Sequence, residues 1–420
     1  MPQNRTKIDV IDMPMGTGKT NGMIAYMNSH PENKYLFVTP YRTERERIQM
    51  YCADLGFVIP DNEYSKLTEC HEFIMDGKNI ATTHALFSLF NADTMELLRQ
   101  KNYCLIIDEE PDCAFDIFTL STSDFQLLRG SYISVDESNR NEVLLSDREY
   151  LGSIKTYNKM VDKKDSHRLF LVDDLNFDNR NIGVIGIMKP DIMECFTRIF
   201  LLTYLFNESF YECYCRFWGI PYQLCCFEGE ELREQAFDDR EFRNNARSLI
   251  LLHGENERTR LNFRPYDADE HAGAVTLSKS WYKNATAGRI SRVRNNASNY
   301  IRNIVHSNQR ETMWSTFKDW EARIKGEGCY ARSFVACNCR ATNKYREKKT
   351  LAYLLNPYPN PFLIRWLSHN GINVRQEHFS LTMLLQWVFR SRIRDGKAIN
   401  LYLPSARMRD ILQDYYRISQ

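Results

Sequence analysis

The sequence predicts an α/β protein built on parallel sheets, arranged as two lobes with an insertion in the first. Three observations predict it. Residues 1–110 alternate short apolar runs with helix-like stretches, and the runs lack the in–out alternation of half-exposed strands, so they mark strands buried on both faces. Residues 112–195 break this rhythm, being polar and rich in Asp, Asn and Ser. The rhythm returns at 196–206 and again from 247 onward. The expected division is lobe 1 over residues 1–225, with the insertion over about 112–195, and lobe 2 over residues 226–420.

Taken in order, "KIDVID" is a strand, "NGMIAYMNSH" a helix, "YLFVTP" a strand, and "RTERERIQMYCADLG" a helix closed by Gly56. "NIATT" is a short strand, "HALFSLF" begins a helix, and "YCLIIDEE" is a strong strand. Within the insertion only short β-like pieces stand out, "GSYISV" and "RLFLV". "FTRIFLLTYLF" resumes the first lobe. The second lobe opens at "RSLILLHGE" and continues through a strand-like "SFVAC", a helix-like "EHFSLTMLLQWVFRSRIRDG" and a strand-like "AINLYLPS".

The chain has 420 residues, 43% hydrophobic and 26% charged, which suits two or three soluble domains. No apolar run approaches the ~20 residues of a membrane helix, and "MPQNRTKIDV" lacks a secretory apolar stretch, so the expected setting is cytoplasmic, with no membrane partner. Twelve cysteines occur without a CxxC pair. The densest group, Cys213, Cys215, Cys225 and Cys226, suits core packing better than a metal, because adjacent cysteines make poor tetrahedral geometry. The net charge of +1 hides an asymmetry: residues 284–420 carry more than twice as many Lys/Arg as Asp/Glu. That excess suits a polyanion partner, or else a basic face paired with the acidic part of the same chain.

The stretch "DVIDMPMGTGKTNGMIAY" (9–26) carries the sharpest chemical signal. Glycines let the backbone curl so that successive N–H groups face an anion, and the helix that begins there adds its positive end. Gly16, Thr17, Gly18, Lys19 and Thr20 form the expected phosphate-binding set. Lys19 reaches β- and γ-phosphates, and the Thr20 hydroxyl ligates Mg²⁺. Met13 stands where the full GxxxxGK[ST] pattern has a small residue. In a P-loop fold, the strand ending at "LIIDEEPD" lies beside the one entering the loop. Asp108 then binds Mg²⁺, and Glu109 orients and deprotonates the attacking water, with Glu110 and Asp112 as alternatives.

The order of these motifs resembles a superfamily 2 helicase of the DEAD/DEAH-like type. "MGTGKT", "VTPYRTERER", "ATTHALF", "DEEP" and "LLTYLF" (with Thr203) resemble first-lobe motifs I, Ia, the Thr-containing segment, II and III, and "QWVFRSRIRDG" resembles motif VI. With "LSKSWY", "MWSTFKDW", "CRATNKY" and "LYLPSARMR", the chain is similar over nearly its whole length to helicase-like proteins of bacteriophages and mobile elements. The resemblance implies two RecA-like lobes that hydrolyse ATP, with Mg²⁺, between them. It also implies a nucleic acid partner, DNA rather than RNA, a place in the host cytoplasm, and contact with other replication or phage proteins. Gln386, Arg390 and Arg394, at i, i+4 and i+8 of a helix, would present guanidiniums to the γ-phosphate, with Arg392 as the alternative to Arg394. Thr39, Arg42 and Thr83 after first-lobe strands, and Arg340, Thr342 and Asn343 in the motif V position, would hold nucleic acid phosphates. For the neighbouring His84, a helix-cap role or a buried hydrogen bond is the expectation. An ATPase switch that binds nucleic acid or a partner without separating strands is the alternative function. The number of chains in the assembly is not legible in the sequence.

Overall fold

The computed structural model describes residues 6–62, 64–111, 114–172, 181–254, 259–263, 272–327, 330–338 and 343–417. The chain divides into two compact units. Unit 1 holds residues 1–13, 17–237 and 360–374; unit 2 holds 14–16, 238–359 and 375–420.

The strands of unit 1 are β1 (Ile8–Asp12), β2 (Lys34–Thr39), β3 (Ile80–Thr83), β4 (Tyr103–Asp108), β5 (Phe115–Ser121), β6 (Ile133–Asp136), β7 (Glu142–Leu145), β8 (His167–Leu171), β9 (Asn181–Met188), β10 (Arg198–Thr203), β11 (Tyr222–Glu228) and β12 (Glu231–Arg233). The main sheet has the order β12-β11-β1-β10-β4-β2-β3, parallel except for the β11–β12 hairpin. Its central strands are continuous apolar runs because helices cover both faces: β4 is buried from Tyr103 to Asp108, and β2 from Tyr35 to Thr39. One difference from the expected order matters for the site. β4 does not adjoin β1; β10 lies between them, pairing Ile11 with Leu202 on one side and Leu202 with Asp108 on the other.

Strands β5 to β9 form a separate antiparallel sheet of order β5-β9-β8-β7-β6, with its own core of Phe118, Phe125, Tyr157, Leu169 and Val184. The polar composition that marks this region reflects hairpins and turns around a small core. The β-like pieces expected there fall on β6 and β8.

The helix Pro361–His369 belongs to unit 1, although it lies far along the sequence. Asn360 caps it, Pro361 opens it, and Leu363, Trp366 and Leu367 at i, i+3 and i+4 enter the first core. Gly183 on β9 makes room for it: a Cβ there would lie 2.6 Å from the Phe362 ring.

Unit 2 carries a four-stranded parallel sheet of β13 (Ile250–Leu252), β14 (Thr312–Ser315), β15 (Thr350–Tyr353) and β16 (Ile399–Tyr402), in the order β13-β16-β15-β14. The expected "SFVAC" strand is reduced to one bridge, Phe334 to Trp314. Among the described residues no helix is long and apolar enough to cross a membrane.

Candidate nucleotide site

Three parallel strands of unit 1 end side by side, with Asp12 paired to Thr203 and Leu202 to Asp108. In open parallel sheets, ligands bind at such carboxyl ends. The loop after β1 turns through Gly16 and Gly18, whose φ angles of +85° and +94° lie where a side chain is strained. Gly18 caps the 11-residue helix Lys19–Ser29, and the Gly22 amide donates to the Gly18 carbonyl at 2.8 Å. Lys19 Nζ folds back to donate to the Met13 carbonyl at 2.6 Å.

Asp108 ends β4 and is buried; the Thr39 hydroxyl donates to its Oδ2 at 3.2 Å. Burial above all, then the charges of Glu109 and Glu44, push its carboxyl up to about 7, and the Lys19 ammonium opposes them. A cation beside it would reverse that penalty. Among the described residues no group of three His, Cys, Asp or Glu side chains is placed to hold a metal. Asp108 and the Thr20 hydroxyl are oxygen donors of the kind a hard divalent cation takes. The cysteine cluster does not compete: Cys213, Cys215, Cys225 and Cys226 are buried thiols, and burial pushes Cys213 up to about 12.

Glu109 stands in the left-handed region at φ +63°, a cost of about 1–3 kcal/mol for a residue with a side chain. Two bonds fix it there. Its N–H donates to the Leu202 carbonyl at 2.9 Å, and the Tyr41 phenol donates to its Oε2 at 2.8 Å. Glu110 turns elsewhere. Thr203 Oγ1 donates to it at 3.2 Å, Ser209 and the Tyr211 amide add hydrogen bonds, and burial pushes its carboxyl up to about 8. Asp112 lies outside the described residues.

Sequence reasoning missed Tyr41 and the engagement of Glu110 by Thr203. Tyr41 follows β2 between Thr39 and Arg42, and no local pattern singles out its phenol. Tyr41→Phe is expected to lower kcat for nucleotide hydrolysis about tenfold, or ~1.4 kcal/mol, and to leave nucleotide affinity unchanged. Steady-state phosphate release with a parallel fluorescent-nucleotide titration checks this.

The expected nucleic acid contacts divide. Thr39 is a correction: it is fully buried, because it ends a central strand beside β4, and its hydroxyl is spent on Asp108. Arg42 is exposed at the first turn of the helix Arg42–Tyr51. Thr83 is half-buried and caps the short helix that follows, accepting from the Leu86 amide at 3.2 Å. The cap is thus Thr83, and His84 is buried behind it. Arg340 and Thr342 lie outside the described residues; Asn343 opens a 3-10 turn, and its side chain lies outside the described part.

In unit 2 the helix Gln376–Val388 stops two residues before Arg390, and Arg392–Asp395 is a separate 3-10 turn. The single helical face expected for Gln386, Arg390 and Arg394 is therefore corrected. The break is held locally: Ser391 Oγ donates to the Val388 carbonyl at 2.7 Å, and Gly396 turns at φ +69°. Gln386 and Arg394 are exposed. Arg392 is tied down, its Nε donating to the Ala398 carbonyl at 2.6 Å. Arg390 is half-buried, and its Nε and Nη1 are buried with no hydrogen-bond partner among the described residues. Buried donors of that kind call for an acceptor.

Fold and site together define a P-loop α/β protein of the two-lobe, helicase-like type. XPD_APO, a solved structure, matches 99% of this chain and 95% of its own with a TM-score of 0.54 at 12% identity, a likeness of fold alone. XPD_Helicase matches 99% and 94% at 12% identity with a TM-score of 0.42. The chain belongs to the YonV family. It is 32% identical over 430 residues to the SPbeta prophage-derived uncharacterized protein YonV of Bacillus subtilis (strain 168), covering 97% of this chain and 98% of that relative. The model of the YonV C-terminal Rossmann-like domain matches residues 255–416.

Proposed function

We propose that this protein is an ATP-dependent nucleic-acid helicase or translocase, acting on DNA rather than RNA. The observation that carries the reading is the convergence, at the ends of β1, β10 and β4, of a glycine-turned loop bearing Lys19 with a buried Asp108 and a fixed Glu109. In this reading the loop amides of residues 16–20 and Lys19 bind the phosphates, and Thr20 and Asp108 hold Mg²⁺. The cation, when bound, neutralises charge on the phosphate oxygens. Glu109 orients the attacking water and takes its proton. Arg390, with its unspent donors, gives charge to the γ-phosphate, and Gln386 and Arg394 flank it. Arg42, Thr83, Arg340, Thr342 and Asn343 hold the strand by its phosphates. A strand gripped differently before and after hydrolysis is moved along in steps.

The test is ATP hydrolysis with and without single- and double-stranded DNA and RNA, with Arg390→Ala beside the parent. Strong stimulation by a strand, and a loss of about a thousandfold in kcat on Arg390→Ala, are expected. Hydrolysis that ignores every strand would leave an ATPase switch, and a parent-like Arg390→Ala would remove Arg390 from the chemistry.

A further inference from the structure

From residue 271 to residue 310 the chain contains no Asp or Glu, while Lys279, Lys283, Arg289, Arg292, Arg294, Arg302 and Arg310 fall within that span. With 54 acids in 420 residues, about five would be expected there. The span is structured. It includes the helix Ala287–Asn299, which runs on into a π-helical turn, Tyr300–Ile304.

One side of this element is committed to the core of unit 2. Ile290, Val293, Ala297, Tyr300 and Ile301 are buried against Phe263, Trp314 and Tyr402. The opposite side presents Arg289, Arg292, Asn295, Asn299 and Arg302, all exposed. These recur every three or four residues, so they line one stripe. Arg292 stacks on Phe263, 4.8 Å from the ring centre. Arg302 donates to the Glu327 carbonyl, which holds its guanidinium in place without cancelling its charge. Neither Arg289 nor Arg302 has a carboxylate within ion-pair reach among the described residues. Lys279, on the preceding helix, approaches Asp319 at 3.9 Å.

We infer that this stripe is a docking surface for the phosphodiester backbone of a nucleic acid strand, separate from the residues assigned above by motif. Its composition selects that partner. Guanidiniums pair with phosphate oxygens two bonds at a time, and the interleaved asparagine amides suit phosphate and sugar oxygens. An anionic membrane would need several apolar side chains beside the cations; Ile290, Val293, Ala297, Tyr300 and Ile301 are spent on the core, and Ile304 alone is exposed. A protein partner would need an aromatic or aliphatic anchor, and the outward stripe has none. From Arg289 to Arg302 the element runs about 20 Å, a length over which one strand of duplex carries about six phosphates. The surface needs no nucleotide hydrolysis, so it stands apart from the motor reading.

The test uses the full chain and two variants, Arg289→Gln with Arg302→Gln, and Arg289→Glu with Arg302→Glu. Both positions are exposed and accept good helix formers, and thermal unfolding checks that the fold is kept. Binding of labelled single-stranded DNA and RNA of one sequence is followed by anisotropy between 50 and 200 mM salt. The expected result for the glutamine pair is a fall of about 1.4 in the slope of log K against log salt, about 0.7 for each phosphate no longer neutralised, regardless of base sequence. The glutamate pair should bind more weakly still, and vesicles containing phosphatidylserine should not sediment the parent. Basal hydrolysis without nucleic acid should be the same in all three proteins. An unchanged slope in both variants overturns the inference, and so does vesicle binding by the parent that the glutamate pair loses while DNA and RNA affinity stay put. A changed slope in a protein that hydrolyses no ATP keeps the surface and removes the motor.

Discussion

Replacing Lys19 with alanine is expected to cut nucleotide hydrolysis by about a hundredfold or more, the largest effect on activity of any single change in unit 1. The ammonium stands at the start of the helix Lys19–Ser29, in a loop whose left-handed glycines aim it at the ends of β1, β10 and β4. It is the one side-chain cation in the glycine loop, and it opposes the carboxylate charges gathered around Asp108. It donates to the Met13 carbonyl at 2.6 Å, a bond that a phosphate oxygen is well suited to replace. Removing it leaves the half-exposed loop and the sheet beneath intact, so the unfolding temperature should hold while phosphate release collapses. Parent-like phosphate release by Lys19→Ala would sink the assignment of this loop. A fluorescent-nucleotide titration then separates impaired binding from impaired chemistry.

Trp366→Ala is expected to destabilise unit 1 by about 3–5 kcal/mol, the largest effect on stability. The indole is 2% exposed and packs among Phe170 at 5.3 Å and Phe217 at 4.8 Å between ring centres. Its N–H has no hydrogen-bond partner among the described residues, so the loss is one of packing and cavity. Trp366→Phe should cost much less, since it keeps an aromatic ring in the same space. Denaturant unfolding followed by circular dichroism measures both. A loss under about 1 kcal/mol for the alanine variant would mean that the helix Pro361–His369 is not part of that core.

How much of this was legible in the sequence depends on the range of the interactions that fix it. The glycine-turned loop between β1 and its helix is a local device: two glycines, a lysine and a threonine between an apolar run and a helix signal it within twelve residues. Asp108 and Glu109 were legible for the same reason, as acids at the end of a fully apolar run. What escaped was set by neighbours distant in the chain. Thr39 looked like a free strand tip, yet β2 lies against β4, and that pairing buries the hydroxyl beside Asp108. β10 enters the sheet between β1 and β4 from almost 100 residues beyond Asp108, and no local pattern announces the insertion point. The helix leading to Arg390 carried apolar signals up to Ile393, but a serine back-bond and the Gly396 turn end it at Val388. The helix carrying Leu363, Trp366 and Leu367 went unread, and which core receives it is a tertiary fact.

The helix Pro361–His369 also bears on how such a gene can change. A fragment ending after Phe237 would carry the phosphate loop and both acids but would expose the apolar seat of Leu363, Trp366 and Leu367 to water. The complementary fragment would carry that helix with nothing to bury it. An exchange of halves between relatives therefore keeps the fold where the incoming amphipathic segment fits this seat, the close approach of Phe362 to the β9 glycine included.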